Sequence, residues 1–166
     1  MSDTHKIIFA CVTVALLNVA LSTVAVGQDK ATVQEVVAKV TAAASILSKT
    51  GDVAQFNRKQ SPWVWKDTYI FVEDCDKKIM AAHPVRPDLV GKDLRSITDA
   101  RGLSIYPDPE GFCKRVKERR SGIWHSAGLW SGYWWPKPGE EVGSRKLTYH
   151  LSAEGTPYLV SSGVIP

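Results

Sequence analysis

The sequence predicts an α+β domain in which an antiparallel sheet of about five strands carries helices on one side. Three observations lead to this class. A long segment near the N-terminus repeats apolar residues at helical spacing. Five later segments are rich in β-branched and aromatic residues, and turn residues separate several of them at hairpin spacing. The helix comes first in the chain and the strands follow it. This order is typical of α+β folds rather than of α/β folds, in which helices and strands alternate.

The first 27 residues are predicted to be a secretion signal. Lys6 precedes an uncharged, mostly apolar run over residues 7–27, which ends in the small-x-small pattern that a signal peptidase needs. Cleavage after Gly27 leaves residues 28–166, a common size for one domain. The run is also long enough to remain as a membrane anchor. Both readings place the remaining chain outside the cytoplasm, in the periplasm or secreted.

Residues 29–50 form the first predicted element of the domain, an amphipathic helix. Its apolar residues recur every three or four positions along one face. Asp29 can cap the start, and Gly51 can end the helix in the left-handed conformation. A shorter helical piece over residues 52–59 follows, with Phe56 turned inward.

A β-hairpin is predicted next. Residues 63–74 are dense in aromatic and β-branched residues, which is typical of a strand. A polar turn over residues 74–78 leads into a partner strand over residues 79–83. Strand alternation separates two groups of side chains, with Thr68, Ile70 and Val72 on one face and Tyr69 and Phe71 on the other.

Residues 84–109 are predicted to form a long excursion from the sheet. They hold four prolines and two glycines, and their apolar residues follow no sustained period. Long loops inside compact domains are usually functional. A short helix over residues 110–120 follows, with Phe112 and Val116 inward. The last three predicted strands are residues 124–135, 145–152 and 158–164.

Cysteine and charge add further constraints. Removal of the signal leaves two cysteines, Cys75 and Cys113, which predict one disulfide in an oxidising compartment. Closing such a loop stabilises a fold by about 4 kcal/mol.

The net charge of the chain is +4. The one basic cluster in the sequence, over residues 114–120, fits the solvated face of a helix. Nucleic acid is not expected as a partner, whereas anionic lipid or an acidic protein stays open.

Two blocks of sequence carry a family likeness. The first comprises WKDTYIFV at 65–72, DCD at 74–76, AHP at 82–84 and LVGKDL at 89–94. The second comprises GYWWPKPG at 132–139, then Lys146, Tyr149 and YLVSSG at 158–163. The chain resembles a Cache domain, and more narrowly the single-Cache subtype (Cache type 2), a sensor domain of bacterial chemoreceptors and histidine kinases. The resemblance implies a PAS-like fold, with a long N-terminal helix behind the sheet and a ligand pocket under the short helices and loops over it.

The chain departs from this family in two ways. Sensors of the family continue into a transmembrane helix and a signalling domain, whereas this sequence stops at Pro166. We therefore expect a separate partner, a membrane receptor or kinase, to respond to ligand occupancy. The cysteine pair is not a family requirement. The resemblance also makes a homodimer through the long N-terminal helix possible.

Five residues are predicted to bind the ligand. Tyr69, Tyr133 and Trp135 provide aromatic walls, His83 can donate a hydrogen bond to an anion, and Lys137 is held between two prolines near a strand end. Each also has a plain alternative: packing for the aromatic residues, a structural role for the histidine and solvation for the lysine.

The leading functional hypothesis is a binding module for a small organic anion, such as a short monocarboxylate. The resemblance supplies this ligand class, and Arg86 and Arg101 on the excursion are further anion-binding candidates. A second hypothesis is an accessory domain that docks on a protein and binds no small molecule; a filled space between sheet and excursion would be its signature. An exported enzyme is a third, although the sequence lacks a phosphate loop, a nucleophile elbow and an HExxH motif. No metal or cofactor is expected.

Overall fold

A five-stranded antiparallel sheet with strand order β4-β3-β7-β6-β5 forms the centre of the fold. The computed structural model describes residues 30–121, 127–137 and 140–166, so the predicted signal segment lies outside it. The helices are α1 (Val33–Thr50) and α2 (Pro109–Ser121), with 3₁₀ turns at Ala54–Asn57, Pro87–Leu89 and Leu94–Ser96. The strands are β1 (Val64–Trp65), β2 (Thr68–Tyr69), β3 (Phe71–Asp74), β4 (Ile79–Ala82), β5 (Leu129–Pro136), β6 (Gly143–Ser152) and β7 (Tyr158–Val164). In this described part, neither helix has the length and apolar character needed to cross a membrane.

Thr32 caps the start of α1, three residues after the predicted cap at Asp29, which lies outside the described residues. The Thr32 side chain accepts from the Glu35 backbone, and the Glu35 carboxylate accepts from the Thr32 backbone. This reciprocal box satisfies two backbone donors that have no partner within the helix. The predicted C-terminal end is confirmed, because Gly51 adopts the left-handed conformation with φ of 65°.

We expect Thr32→Ala to lower the free energy of unfolding by about 1 kcal/mol, because one donor of the capping box loses its acceptor. Urea unfolding measures the change. Thr41→Ala is the matched control, since Thr41 is exposed within α1 and its hydroxyl donates only to the Val37 carbonyl. Alanine is the better helix former, so the control should be neutral or slightly stabilising. Equal losses in both variants would contradict the capping role.

The single strand predicted over residues 63–74 is wrong in one respect. This segment is divided into β1, β2 and β3, with a tight turn at Lys66, whose φ is +48°. That turn separates β1 from β2, and the Asp67 carboxylate holds it by accepting a hydrogen bond from the Ala31 backbone at 2.8 Å. The break between β2 and β3 lies at Ile70. The predicted alternation of faces persists, since Ile70 and Val72 contact the core on the α1 side.

The other elements agree with the predicted order. Strand β7 has the predicted bounds, β6 begins two residues earlier and β4 ends one residue earlier. Strand β5 begins at Leu129, and the predicted start of this strand falls in residues 122–126, outside the described part. The excursion is more ordered than predicted, because two 3₁₀ turns and the bridges Ile79–Asp93 and Thr98–Ser104 shape it.

The helices lie on opposite faces of the sheet, which corrects the pattern-based placement on one side. Helix α1 packs through residues such as Val40 and Leu47 on the face that carries Val72. Helix α2 packs through Phe112 and Val116 on the other face. Apolar periodicity shows that each helix has a buried side, but both faces of this sheet are apolar, so periodicity does not select between them. The arrangement matches the long helix behind the sheet that the resemblance implied.

The predicted disulfide is present between Cys75 and Cys113. Cys75 lies in the turn between β3 and β4, and Cys113 lies in the second turn of α2. The bond therefore fixes the end of the excursion to the sheet beside the buried side chain of Phe112.

Candidate ligand-binding site

A small cavity lies between the sheet and the excursion, on the face opposite α1. Its volume of ≈ 10 Å³ is about what one water molecule occupies. The sheet and the excursion both contribute to its wall, which is largely aromatic. The lining residues are Tyr69, Phe71, Met80, His83, Leu89, Ile97, Ile105, Tyr106, Tyr133 and Trp135.

The structure brings four of the five predicted site residues together in this wall: Tyr69, His83, Tyr133 and Trp135. The indole Nε1 of Trp135 donates to the hydroxyl of Tyr69 at 2.9 Å. Lys137 is not among the lining residues. Strand β5 ends at the preceding residue and the backbone turns there, with the Lys137 carbonyl accepting from a residue three positions on. The strand alternation that directs Tyr133 and Trp135 to the cavity therefore does not extend to this lysine.

Lys146 is a buried cation that the sequence analysis left out; it is not itself a lining residue, but it contacts two residues that line the cavity. It lies on β6 directly opposite Tyr133, so both side chains project from the same face. The side chain is 3 % exposed, with Nζ 4.4 Å from the ring centre of Tyr69 and 5.3 Å from that of Phe71. The signal that could have found it is the alternation along β6, which places Lys146 on the cavity face together with Thr148.

Burial lowers the pKa of Lys146 to about 7, because the apolar surroundings disfavour its charged form. The charges of Asp67 and Glu73 oppose this shift only in part. In the described part of the chain, no carboxylate oxygen lies within 4.0 Å of Nζ. A buried ammonium without a paired carboxylate is costly, so the site favours an added anion.

His83 is a neutral hydrogen-bond donor in the cavity wall. Its Nδ1 accepts from the Arg86 backbone at 2.9 Å, which assigns the ring proton to Nε2. Its own backbone donates to the side chain of Asn57 at 2.9 Å. Burial, together with the charges of Lys146 and Arg86, lowers the pKa of His83 to about 3. The imidazole is therefore uncharged at neutral pH.

The two candidate arginines of the excursion have different positions. The Arg86 guanidinium lies 5.7 Å from the ring centre of Trp135, beside the cavity, and donates to both carboxylate oxygens of Asp88. Arg101 pairs with Asp99 and lies over Trp134 instead. The Asp99 carboxylate also accepts from the Trp134 backbone, so this second pair fastens the excursion to β5. Of these two arginines, Arg86 therefore lies nearer the cavity.

A buried polar network lies behind the cavity wall. The Glu73 carboxylate, fully buried, accepts from Tyr106 at 2.9 Å and from Ser161 at 2.8 Å. The Nδ1 of His150 lies 3.3 Å from the same carboxylate, and its Nε2 lies 2.7 Å from Ser131. The sequence analysis did not identify this network. The strand pattern around Glu73 does not indicate which distant residues contact its side chain. The network ties the excursion to the sheet through Tyr106.

The fold and the cavity define a PAS-like sensor domain. The family model for the Cache domain matches residues 59–165, and the chain belongs to that family. One similar solved structure, described as the basis for carboxylic acid recognition by a Cache chemosensory domain, has 20 % identity and a TM-score of 0.53. The match covers 78 % of this chain and 85 % of that one. A second, the periplasmic sensor domain of a chemotaxis protein, has 21 % identity, a TM-score of 0.50 and coverage of 77 % and 85 %.

The family assignment also fixes the general type of activity. Cache domains are extracytoplasmic modules that sense ligands for chemotaxis receptors, and they are signalling domains rather than enzymes. The predicted recognition and fold class are therefore confirmed at the level of the family.

Proposed function

We propose that this chain is an extracytoplasmic binding module for a small organic anion, most simply a short monocarboxylate, and that it acts through a membrane receptor or kinase. The observation that carries the proposal is the buried Lys146 ammonium, which has no carboxylate within ion-pair distance in the described residues. A ligand carboxylate would supply the missing charge. His83 in the cavity wall and Arg86 beside it would add further donors.

The cavity favours a small ligand that is apolar apart from its acid group. Aromatic side chains form much of its wall, and such surfaces favour an alkyl or carbonyl carbon over further polar groups. A volume of ≈ 10 Å³ does not hold even acetate, so binding requires the excursion to move outward. The recognition of carboxylic acids by a Cache domain of similar fold supports this ligand class.

The small cavity volume also favours a second candidate, a docking domain that binds no small molecule. In that case the aromatic side chains would serve as packing and the excursion would present a rigid surface. The two candidates differ in one measurable respect, because a docking domain would not be stabilised by any small acid.

Thermal unfolding of the purified, oxidised protein with a panel of small acids, amino acids and amines tests the proposal. A ligand at 100 times its dissociation constant stabilises a fold by about 2.7 kcal/mol, a shift of several degrees. We expect Arg86→Ala to weaken binding about tenfold. Arg101→Ala is the matched control, because it removes an excursion arginine with a similar aspartate pair away from the cavity. No shift with any acid would reject the proposal and support the docking domain.

Binding of a simple carboxylate should weaken as the pH rises through 7. The anion requires the charged form of Lys146, whose pKa of about 7 means that the ammonium is lost above this pH in the empty site. Affinity should therefore fall by about tenfold per pH unit above 7. Calorimetry at pH 6 and pH 8.5 measures the effect, and titrations near pH 7 in buffers of different ionisation enthalpy should show proton uptake. Equal affinity at both pH values would exclude Lys146 as the anion's partner.

A further inference from the structure

The amine of Lys146 can do more than pair with a charge. We infer that Lys146 is a covalent site, which forms a reversible imine with the carbonyl carbon of a small 2-oxo acid. The inference rests on the proposed function, since it assumes that the cavity admits small organic acids. It narrows the ligand to the 2-oxo acids and adds a covalent bond between the ligand and Lys146.

The first argument is the environment of the amine. Its Nζ lies against the rings of Tyr69 and Phe71, both of which line the cavity. The side chain is buried, and the described residues place no carboxylate within 4.0 Å to hold the ammonium form. Desolvation of this kind is how proteins make a lysine nucleophilic. With a pKa of about 7, about half of Lys146 is neutral at pH 7, roughly a thousandfold more than for an ordinary lysine.

The second argument is that different hydrogen-bond donors are available for the carboxylate and for the carbonyl oxygen of the ligand. Arg86 and the Nε2–H of His83 are placed to orient a carboxylate without help from Lys146. The hydroxyl of Tyr69 accepts a hydrogen bond from Trp135, which directs its own proton toward another acceptor. Burial raises the pKa of Tyr69, so this hydroxyl stays protonated and can donate to a carbonyl oxygen. A 2-oxo acid presents both groups on adjacent carbons, where a simple monocarboxylate presents one.

The chemistry balances without any oxidant or reductant. The neutral Lys146 nitrogen attacks the carbonyl carbon, the C–N bond forms as the C=O π bond breaks, and the oxygen takes a proton from the nitrogen to give a neutral carbinolamine. A second proton, from solvent, lets that oxygen leave as water while the nitrogen lone pair forms the C=N bond of the iminium ion. The iminium keeps the positive charge next to the ligand carboxylate. Hydrolysis reverses each step, so the bond is compatible with reversible sensing.

Reductive trapping tests the inference. The purified protein is incubated with pyruvate and cyanoborohydride near pH 7, with propionate as the matched acid that lacks a carbonyl. Intact mass spectrometry should show a gain equal to pyruvate less one oxygen, and peptide mapping of the unmutated protein should place it on Lys146. Lys146→Met should lose the adduct, whereas Lys137→Met should keep it. Excess propionate should reduce the trapped fraction about tenfold by competition.

The outcomes separate this inference from the proposed function. If pyruvate and propionate both stabilise the protein but no adduct forms, the imine is rejected and the anion site stands. If trapping occurs only at surface lysines, the imine is likewise rejected. If no acid stabilises the protein and no adduct forms, both proposals fail.

Discussion

Replacing Lys146 by methionine is expected to raise stability and abolish anion binding in the same protein. At pH 6 the free energy of unfolding should rise by about 2 kcal/mol, because an unpaired charge leaves an apolar environment. The lost contacts of Nζ with the rings of Tyr69 and Phe71 offset part of this gain. Affinity for a small acid should fall about a hundredfold, as when one partner of a buried charge pair is removed.

The stability gain should depend on pH with a definite sign. The pKa of Lys146 is lowered from its ordinary value near 10.5 to about 7 in the fold. Between these values the unfolded chain binds more protons, so the stability of the unmutated protein rises as the pH rises from 7 towards 10. The advantage of methionine is therefore largest below pH 7 and shrinks by pH 9.5.

Urea unfolding at pH 6 and pH 9.5 measures this difference, and a binding titration at pH 6 measures the affinity. Lys137→Met is the matched control, since it removes a lysine that is only partly buried beyond the end of β5, and it should leave both quantities nearly unchanged. A destabilised Lys146→Met variant at pH 6 would show that the ammonium contributes to folding, and it would remove the main support for the anion site.

Loss of the Cys75–Cys113 disulfide is expected to have the second large effect. The bond spans 38 residues, and restoring the freedom of that loop in the unfolded chain should lower the free energy of unfolding by about 4 kcal/mol. The fold should also loosen where α2 meets the cavity wall. Phe112 precedes Cys113 and packs edge-on against Tyr106, a lining residue, at a ring distance of 5.3 Å.

The double variant Cys75→Ser/Cys113→Ser and the reduced unmutated protein should give the same lowered urea midpoint. Agreement between them separates the bond from the side-chain change. Amide exchange of residues 84–108 should be faster in both, because the end of the excursion then loses its covalent tie to the sheet and keeps only hydrogen bonds such as those of Asp99 and Tyr106. Unchanged stability in the reduced protein would mean that the packing of Phe112 and Val116 suffices to hold α2.

Much of the architecture could be predicted because it depends on local patterns. The helical spacing in α1, Gly51 at its end and the turn-separated strands β6 and β7 each act over a few residues. The disulfide followed from a count, since two cysteines permit one pairing. The division of the first predicted strand was missed, because a positive φ at Lys66 is not encoded in the residue type.

The candidate site was predicted in part for the same reason. Tyr69, Tyr133 and Trp135 lie on regular strands, where alternation fixes the direction of each side chain. Lys137 was chosen for its proline neighbours, but β5 ends before it. Lys146 was passed over because a lysine on a strand is ordinarily solvated. Its burial results from α2 and the excursion covering that face of β6.

The sequence by itself determined the elements, their order, the disulfide and the family to which the chain belongs. Tertiary structure decided which face each helix covers, which lysine is buried and how small the cavity is. The physical reason is that periodicity and turn chemistry act along the chain, whereas the pKa of Lys146 and the pairing of Glu73 with Tyr106 depend on groups brought together from distant segments. Those long-range contacts give the site its chemistry.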